Sequence, residues 1–250
     1  MTRDAPTTSL VDCSAVLFDL DGVLTPTAEV HMLAWRSVFD AELTKHAALP
    51  AYSDDDYFAY VDGKPRYDGV ASMLASRGIE LPWGDPSDGA DADTVCGVGN
   101  RKNAVFAGIL ESDGVEPYPG SVRLVDQLRA RGIPLAVVSS SKNARAVLAA
   151  AGIAERFETV VDGLTAVEEG IPGKPAPDMF VVAAQKLGTA IADTIVVEDA
   201  VSGVEAGAAG EFGLVIAVDR GVGPDALTAA GADLIVSDLA ELVEQESPEQ

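Results

Sequence analysis

The stretch Ser14-Ala-Val-Leu-Phe-Asp-Leu-Asp-Gly-Val-Leu-Thr-Pro-Thr27 decides how this chain is read. An apolar run stops abruptly at Asp19-Leu20-Asp21-Gly22. A buried parallel strand would deliver those residues to the carboxyl edge of a sheet, where open α/β folds place their ligands. Gly22 then releases the chain into a turn. Two carboxylates so close repel each other, and a cation or a shared proton would make the pair tolerable. An Asp pair that merely caps a loop or the next helix uses the same residues, so the rest of the sequence has to separate the two readings.

With 250 residues, 48% hydrophobic and 23% charged, the chain can bury a large core and has no disordered character. Its 17 basic residues face 40 acidic ones, a net charge of −23. Nucleic acid and anionic membranes are therefore not expected partners, because both require positive surface. The same balance makes the lysines informative. Four of the six (Lys64, Lys102, Lys142 and Lys174) lie in segments punctuated by Gly, Asn or Pro, where an acidic protein handling an anionic substrate would need them. Cys13 and Cys96 match no metal spacing and predict a reducing compartment. Residues 1–13 carry no apolar signal-peptide core, and no run is long enough to cross a bilayer. A cytoplasmic monomer is expected.

Beyond about residue 134, short apolar runs alternate with helical windows. The runs are 134–140, 157–162, 194–199, 214–219 and 232–238; the windows are about 143–151, 177–187, 200–209 and 224–230. Such alternation predicts βαβ units and an α/β fold with a parallel sheet, to which 14–20 also belongs. Residues 29–112 differ, with helical patterns at Glu29–Leu43 and Tyr67–Ala75 but no comparable buried strands. They predict an all-helical insertion after the first strand of a parallel-sheet core made of residues 1–28 and 113–250. Hinges are expected near 25–29 and 112–118, and a frayed acidic tail from Glu244. A lid of this kind would exclude water from the sheet edge.

Four separated signals complement one another. Asp19-Leu-Asp21 is the first. Val137-Val-Ser-Ser-Ser-Lys-Asn143 is a strand running into hydroxyls and a helix start, able to cap the helix or to hold a phosphate. Gly173-Lys174-Pro175 presents a lysine before a proline. Val196-Val-Glu198-Asp199, with Gly203 downstream, puts adjacent acids at a strand end, a pattern also common in a first helical turn. Together they suit phosphoryl transfer. Asp19 would attack phosphorus and carry the phosphoryl group, and Asp21 would be the general acid and base. Glu198 and Asp199 would help hold an oxygen-ligated Mg²⁺. Lys174 and Ser139 would balance charge on the transferring oxygens.

In this order the motifs resemble the haloacid-dehalogenase superfamily of phosphotransferases, over nearly the whole chain. They most resemble its β-phosphoglucomutase family of hydrolases and mutases. The segments that carry the likeness are Asp19–His31, Tyr118-Pro-Gly120, Ser139–Asn143, Gly173-Lys-Pro-Ala-Pro-Asp178 and Glu198-Asp199. The resemblance implies a modified Rossmann core with a helical cap, and an aspartyl-phosphate mechanism. It also implies Mg²⁺ held by Asp19, the backbone carbonyl of Asp21, Glu198 and Asp199. A phosphorylated sugar is the implied substrate, contacted by Thr27, His31, Gly63, Arg66, Lys102, Ser141, Lys142 and Asn143. In that family the arginine and the 141–143 segment grip a distal, non-reacting phosphate, a task suited to a planar guanidinium. Lys102 matches a cap lysine near the substrate. His31 matches a histidine that positions the acid–base aspartate.

The sequence departs from that pattern at Pro26, where the family's mutase motif has Asp, at Asp62, which replaces a lysine, and at Gly69, which replaces a serine. Lys64 returns a lysine two positions later. The leading expectation is β-phosphoglucomutase-like conversion of β-glucose 1-phosphate to glucose 6-phosphate, with a sugar-phosphate phosphatase as the alternative. A receiver-type signalling module is a distant third, because it lacks an inserted cap and gives Asp21 no role. A dehalogenase would need neither Asp21 nor the Mg²⁺ ligands. Trp35 and Phe39, four apart, read as the buried face of a helix. Asp54-Asp55-Asp56 reads as a solvated helix start. Gly170–Lys174 lacks P-loop spacing.

Overall fold

The computed structural model describes Leu10, residues 12–45 and residues 49–244. The expectation drawn on residues 1–13 therefore lies mostly outside the described residues, as does the tail beyond Glu244. Glu244 itself is tied down, its carbonyl accepting from Gln127 at 3.2 Å and its carboxylate pairing with Arg131.

Six strands form one parallel sheet, as the alternation predicts: β1 (Ala15–Phe18), β2 (Leu135–Val138), β3 (Thr159–Val161), β4 (Thr194–Glu198), β5 (Leu214–Val218) and β6 (Leu234–Val236). The spatial order is β3-β2-β1-β4-β5-β6. The chain leaves β1 for β2, moves outward to β3, then returns to the other flank of β1 at β4. That reversal parts the connecting segments at the carboxyl ends of β1 and β4 and leaves a crevice there. Paired strands bring Phe18 level with Val137 and Val197, so the segments that follow all three emerge side by side.

Side chains alternate across the strands and feed two apolar layers. Val16, Phe18, Val137, Ile195 and Val197 pack on one face with α5 (Pro119–Ala130) and α6 (Ala144–Ala150). Leu17, Ala136, Val138 and Val196 pack on the other with α8 (Asp178–Leu187), α9 (Val201–Ala209) and α10 (Pro224–Ala230). Both faces are covered, which is why these strands read as continuous apolar runs rather than alternating ones. A further short helix, α7 (Gly163–Glu169), follows β3 and is capped by Asp162.

Among the described residues, the segment between β1 and α5 holds four helices: α1 (Thr27–Leu43), α2 (Asp54–Tyr60), α3 (Arg66–Ser76) and α4 (Val95–Asp113). They bury their own cluster, including Trp35, Phe39, Tyr52, Val70, Met73 and Leu74. Trp35 stacks on Phe39 at 5.1 Å, the buried helix face that their spacing predicts. The Asp54–Asp56 run does start a helix, with Ser53 and Asp56 forming a capping box. Asp56 is not solvated, however; it is buried against Arg77 at 2.6 Å. Helix α4 had no periodic signature because Gly97 and Gly99 interrupt its first turns, and Thr94 fixes its start by accepting from the Gly97 amide. No helix among the described residues is long and apolar enough to cross a membrane. Cys13 and Cys96 are buried free thiols.

Candidate active site

The carboxyl ends of β1, β2 and β4 place Asp19, Ser139 and Glu198 around one cleft, and the four helices supply its roof. Asp19 extends the ladder one step past β1, its amide donating to Val197 O at 2.8 Å. Its side chain is buried, and Lys174 reaches it from 155 residues away: Lys174 Nζ lies 2.6 Å from Asp19 Oδ1, 2.5 Å from Glu198 Oε1 and 3.0 Å from Val138 O. Burial works against the lysine's charge, but Asp19 and Glu198 outweigh it and hold its pKa above the usual lysine range. A buried lysine with three oxygen acceptors is fully satisfied and rigid, which a flexible surface lysine is not.

Asp19, Glu198 and Asp199 each offer an oxygen within 4.8 Å of the others. Two glycines let them converge. A Cβ on Gly22, whose φ is +84°, would meet Asp199 Oδ2 at 1.8 Å, and one on Gly203 would meet the Glu198 carboxyl at 1.9 Å. Glu198 Oε2 is oriented by the amides of Asp199 and Ala200 at 3.0 and 3.1 Å. Burial, then Lys174 opposing and Glu198 and Asp21 reinforcing, leaves Asp19 well above the usual carboxylate range; burial, Asp62 and Glu198 do the same to Asp199. A buried group of hard oxygen donors that repel one another this strongly fits a divalent, oxygen-ligated cation such as Mg²⁺. The Asp21 side chain is not in this trio.

Asp21 faces the roof instead. Thr27 Oγ1 donates to its Oδ1 at 2.5 Å, His31 Nε2 lies 3.5 Å from the same oxygen, and Ser139 Oγ donates to Oδ2 at 3.4 Å. Burial opposes its charge, but His31 and the Thr27 hydrogen bond hold its pKa at about 2. His31 is flanked on its other nitrogen by Lys102, and burial followed by Lys102 keeps it below the ordinary histidine range. Lys102 is itself pushed well down by burial and Arg66, and lies over the rings of Trp35 and Phe106 at 5.0 and 4.8 Å. Trp35 thus lines the cleft while also serving the helix core.

The structure brings most of the expected site residues to this cleft: Asp19, Asp21, His31, Gly63, Arg66, Lys102, Ser139, Ser141, Lys142, Lys174, Glu198 and Asp199 all line it. Thr27 is not among the residues lining the cleft: it is fully buried, bonded to Thr25 at 2.7 Å and to Asp21, where it orients the aspartate. Asn143 is outside the lining as well; its side chain donates to Asn103 Oδ1 at 2.6 Å. Ser140 Oγ donates to Gly63 O at 2.9 Å and Ser202 Oγ approaches Asp62 O at 3.5 Å, so both bond the roof to the sheet.

Two residues noted in the sequence, Asp62 and Lys64, and one that the sequence reading missed, Arg220, also belong to this region. Asp62 lines the cleft, with Tyr57 as its hydrogen-bond donor, and burial pushes its pKa up to about 7. Lys64, two residues on, also lines the cleft and donates to Ser72 Oγ at 2.9 Å. Arg220 supports the catalytic loop from behind, donating to Gly22 O at 2.8 Å while stacking over Tyr118 at 3.9 Å. Of these, Asp62 and Lys64 carried a signal in the sequence, beside the family pattern, and Arg220 carried none.

Comparison with known proteins agrees with this geometry. The family profile of haloacid dehalogenase-like hydrolases matches residues 13–210. A β-phosphoglucomutase from Mycobacterium bovis is 48% identical over 239 residues, covering 92% of this chain and 91% of that protein. The β-phosphoglucomutase structure from Clostridium difficile superposes with a TM-score of 0.73 at 23% identity, covering 92% of this chain and 93% of the other. CbbY from Rhodobacter sphaeroides, solved in complex with xylulose-(1,5)bisphosphate, has a TM-score of 0.69 at 22% identity, with coverages of 92% and 96%. At these identities the two structures speak for the fold.

Proposed function

The chain belongs to the haloacid dehalogenase-like hydrolase family, as a β-phosphoglucomutase-like enzyme, and we propose that it converts β-glucose 1-phosphate to glucose 6-phosphate through a phosphoryl group carried on Asp19. In this reading residues 29–112 are a mobile cap on a core formed by residues 1–28 and 113–250. Asp19, the Asp21 carbonyl, Glu198 and Asp199 would hold Mg²⁺, whose positive charge would let an anionic phosphate approach an anionic nucleophile. Lys174 opposes the burial that raises the Asp19 pKa, aims that carboxylate, and adds a second positive charge beside the transferring oxygens. Asp21, ionised and held by Thr27 and His31, takes the proton of the attacking sugar hydroxyl and returns it to the next leaving oxygen.

One observation favours a mutase. Arg66 and Lys142 crowd the same ring of Tyr67, at 6.0 and 5.1 Å. Burial lowers the pKa of each, and Arg66 lowers that of Lys142 further. Two partly buried cations pressed together are costly unless an anion joins them, and both line the cleft that holds Asp19. A second phosphate, remote from the reacting one, meets that need. A sugar bisphosphate is what CbbY holds in its structure.

Phosphorus NMR with Mg²⁺, β-glucose 1-phosphate and a trace of glucose 1,6-bisphosphate tests the reading. Growth of glucose 6-phosphate without inorganic phosphate is the expected result. Inorganic phosphate alone would replace the mutase with a sugar-phosphate phosphatase on the same residues.

A further inference from the structure

The cations of the proposed phosphate end are not held by each other. Arg66, the first residue of α3, donates from Nη2 to Asn103 Oδ1 at 2.7 Å. Asn143, at the start of α6, donates from Nδ2 to the same oxygen at 2.6 Å. A single neutral acceptor on α4 therefore ties a roof arginine to the sheet side of the cleft, across 37 and 40 residues of sequence. Both donors are N–H groups, so the acceptor must be the amide oxygen, and its two lone pairs are both used. On the sheet side the ties continue: the Asn143 amide donates to Ser141 Oγ and the Ser141 amide to Ser139 Oγ, each at 3.1 Å. Ser139 in turn donates to Asp21.

We propose that Asn103 is a positioning residue for the non-reacting phosphate: its amide oxygen holds the Arg66 fork and Asn143 in register across the seam, in the place where a phosphate oxygen can join or displace it. The inference rests on the reading that Arg66 and Lys142 receive a phosphate. A neutral oxygen suits this task. It aligns the guanidinium through one N–H and leaves its charge uncompensated, so a dianion still gains the full charge-assisted interaction. A carboxylate in the same place would satisfy Arg66 and compete with the substrate. An aliphatic side chain would leave Arg66 charged but loose, and the cost of ordering it would fall on binding.

Steady-state kinetics of the Mg²⁺-loaded enzyme test this with two substrates, a hexose monophosphate and p-nitrophenyl phosphate, which has no second phosphate to place. For Asn103→Asp, KM for the hexose phosphate should rise roughly 10–100-fold, the range expected when a charge-assisted contact is lost. For Asn103→Ala the rise should be about tenfold or less, and neither variant should alter p-nitrophenyl phosphate hydrolysis by more than about twofold. Equal losses on both substrates, with Ala as harmful as Asp, would show a merely structural role and overturn the inference. Arg66→Ala serves as the control. If it too impairs both substrates equally, the phosphate end itself fails and takes the inference with it. If it is selective while Asn103→Asp matches the parent enzyme, only the role of Asn103 fails.

Discussion

The two walls of the cleft are built from opposite charges and opposite kinds of core. The sheet edge gathers Asp19, Asp21, Glu198 and Asp199, with Lys174 paired to Asp19 and Glu198 and Lys142 beyond β2, on strands buried to the last side chain. The roof contributes Lys64 from the turn between α2 and α3, and Arg66 and Lys102 from helices that share an aromatic cluster rather than a sheet. The contrast teaches a division of labour. Strand ends are fixed by ladders on both sides, so they suit reacting groups that must not drift. Helices joined by loops can move against the sheet, so they suit groups that recognise what has entered. Asp62 breaks the pattern, a buried carboxylate in a wall of cations.

The division fails if sheet-edge and roof substitutions behave alike. Asp19→Asn should abolish turnover of every phosphate ester, because an amide oxygen cannot attack phosphorus; residual single-turnover phosphoryl transfer to the protein, followed with labelled substrate, would break the comparison at its strongest point. Next in size, Asp21→Ala should slow turnover roughly 10²–10⁴-fold while leaving substrate binding intact. An unchanged rate with a leaving group that needs no proton is the accompanying expectation. Arg66→Ala, on the roof, should cost roughly 10–100-fold in kcat/KM on hexose phosphate and little on a small aryl phosphate.

The smallest effect concerns stability. Asp62 is pushed up from 3.8 to about 7 by burial, against hydrogen bonds from Tyr57 and the Gly63 amide. A carboxyl raised in the folded state binds its proton more tightly there than in the unfolded chain. Stability without Mg²⁺ should therefore fall as pH rises from about 4 to about 7. Asp19 and Asp199, raised in the same direction, add to that slope. Mg²⁺ should reduce it, so the gain in Tm on adding the ion should be larger at pH 8 than at pH 5. Equal gains at both pH values would mean that these carboxylates do not sense the ion.

Much of the sheet edge was legible beforehand because its signals are local. Asp19 and Asp21 end an apolar strand, and Glu198 and Asp199 end another, so each motif states its own place at a strand terminus. The helical boundaries of 177–187 and 224–230 fell within one residue of α8 and α10, since periodic apolar faces and flanking Pro or Gly punctuate them. The burial of Thr27 was not legible, because Thr25 and Asp21 close over it only in the folded loop. Asn103 and Arg220 gave no warning, because their partners lie 37 to 198 residues away and a lone Asn or Arg has no pattern.

Sequence alone determined that this chain makes a parallel sheet whose first strand ends in two aspartates, and that four motifs belong to one phosphoryl-transfer constellation. Hydrophobic periodicity and short motif spacing carry that much, because burial and turn geometry act within a few residues. Only the tertiary structure decided which lysine is consumed inside the anionic cluster, that Thr27 faces inward, and that one asparagine ties roof to sheet. Those outcomes depend on donors and acceptors meeting across the crevice, and the strand order, not the local sequence, sets which of them meet.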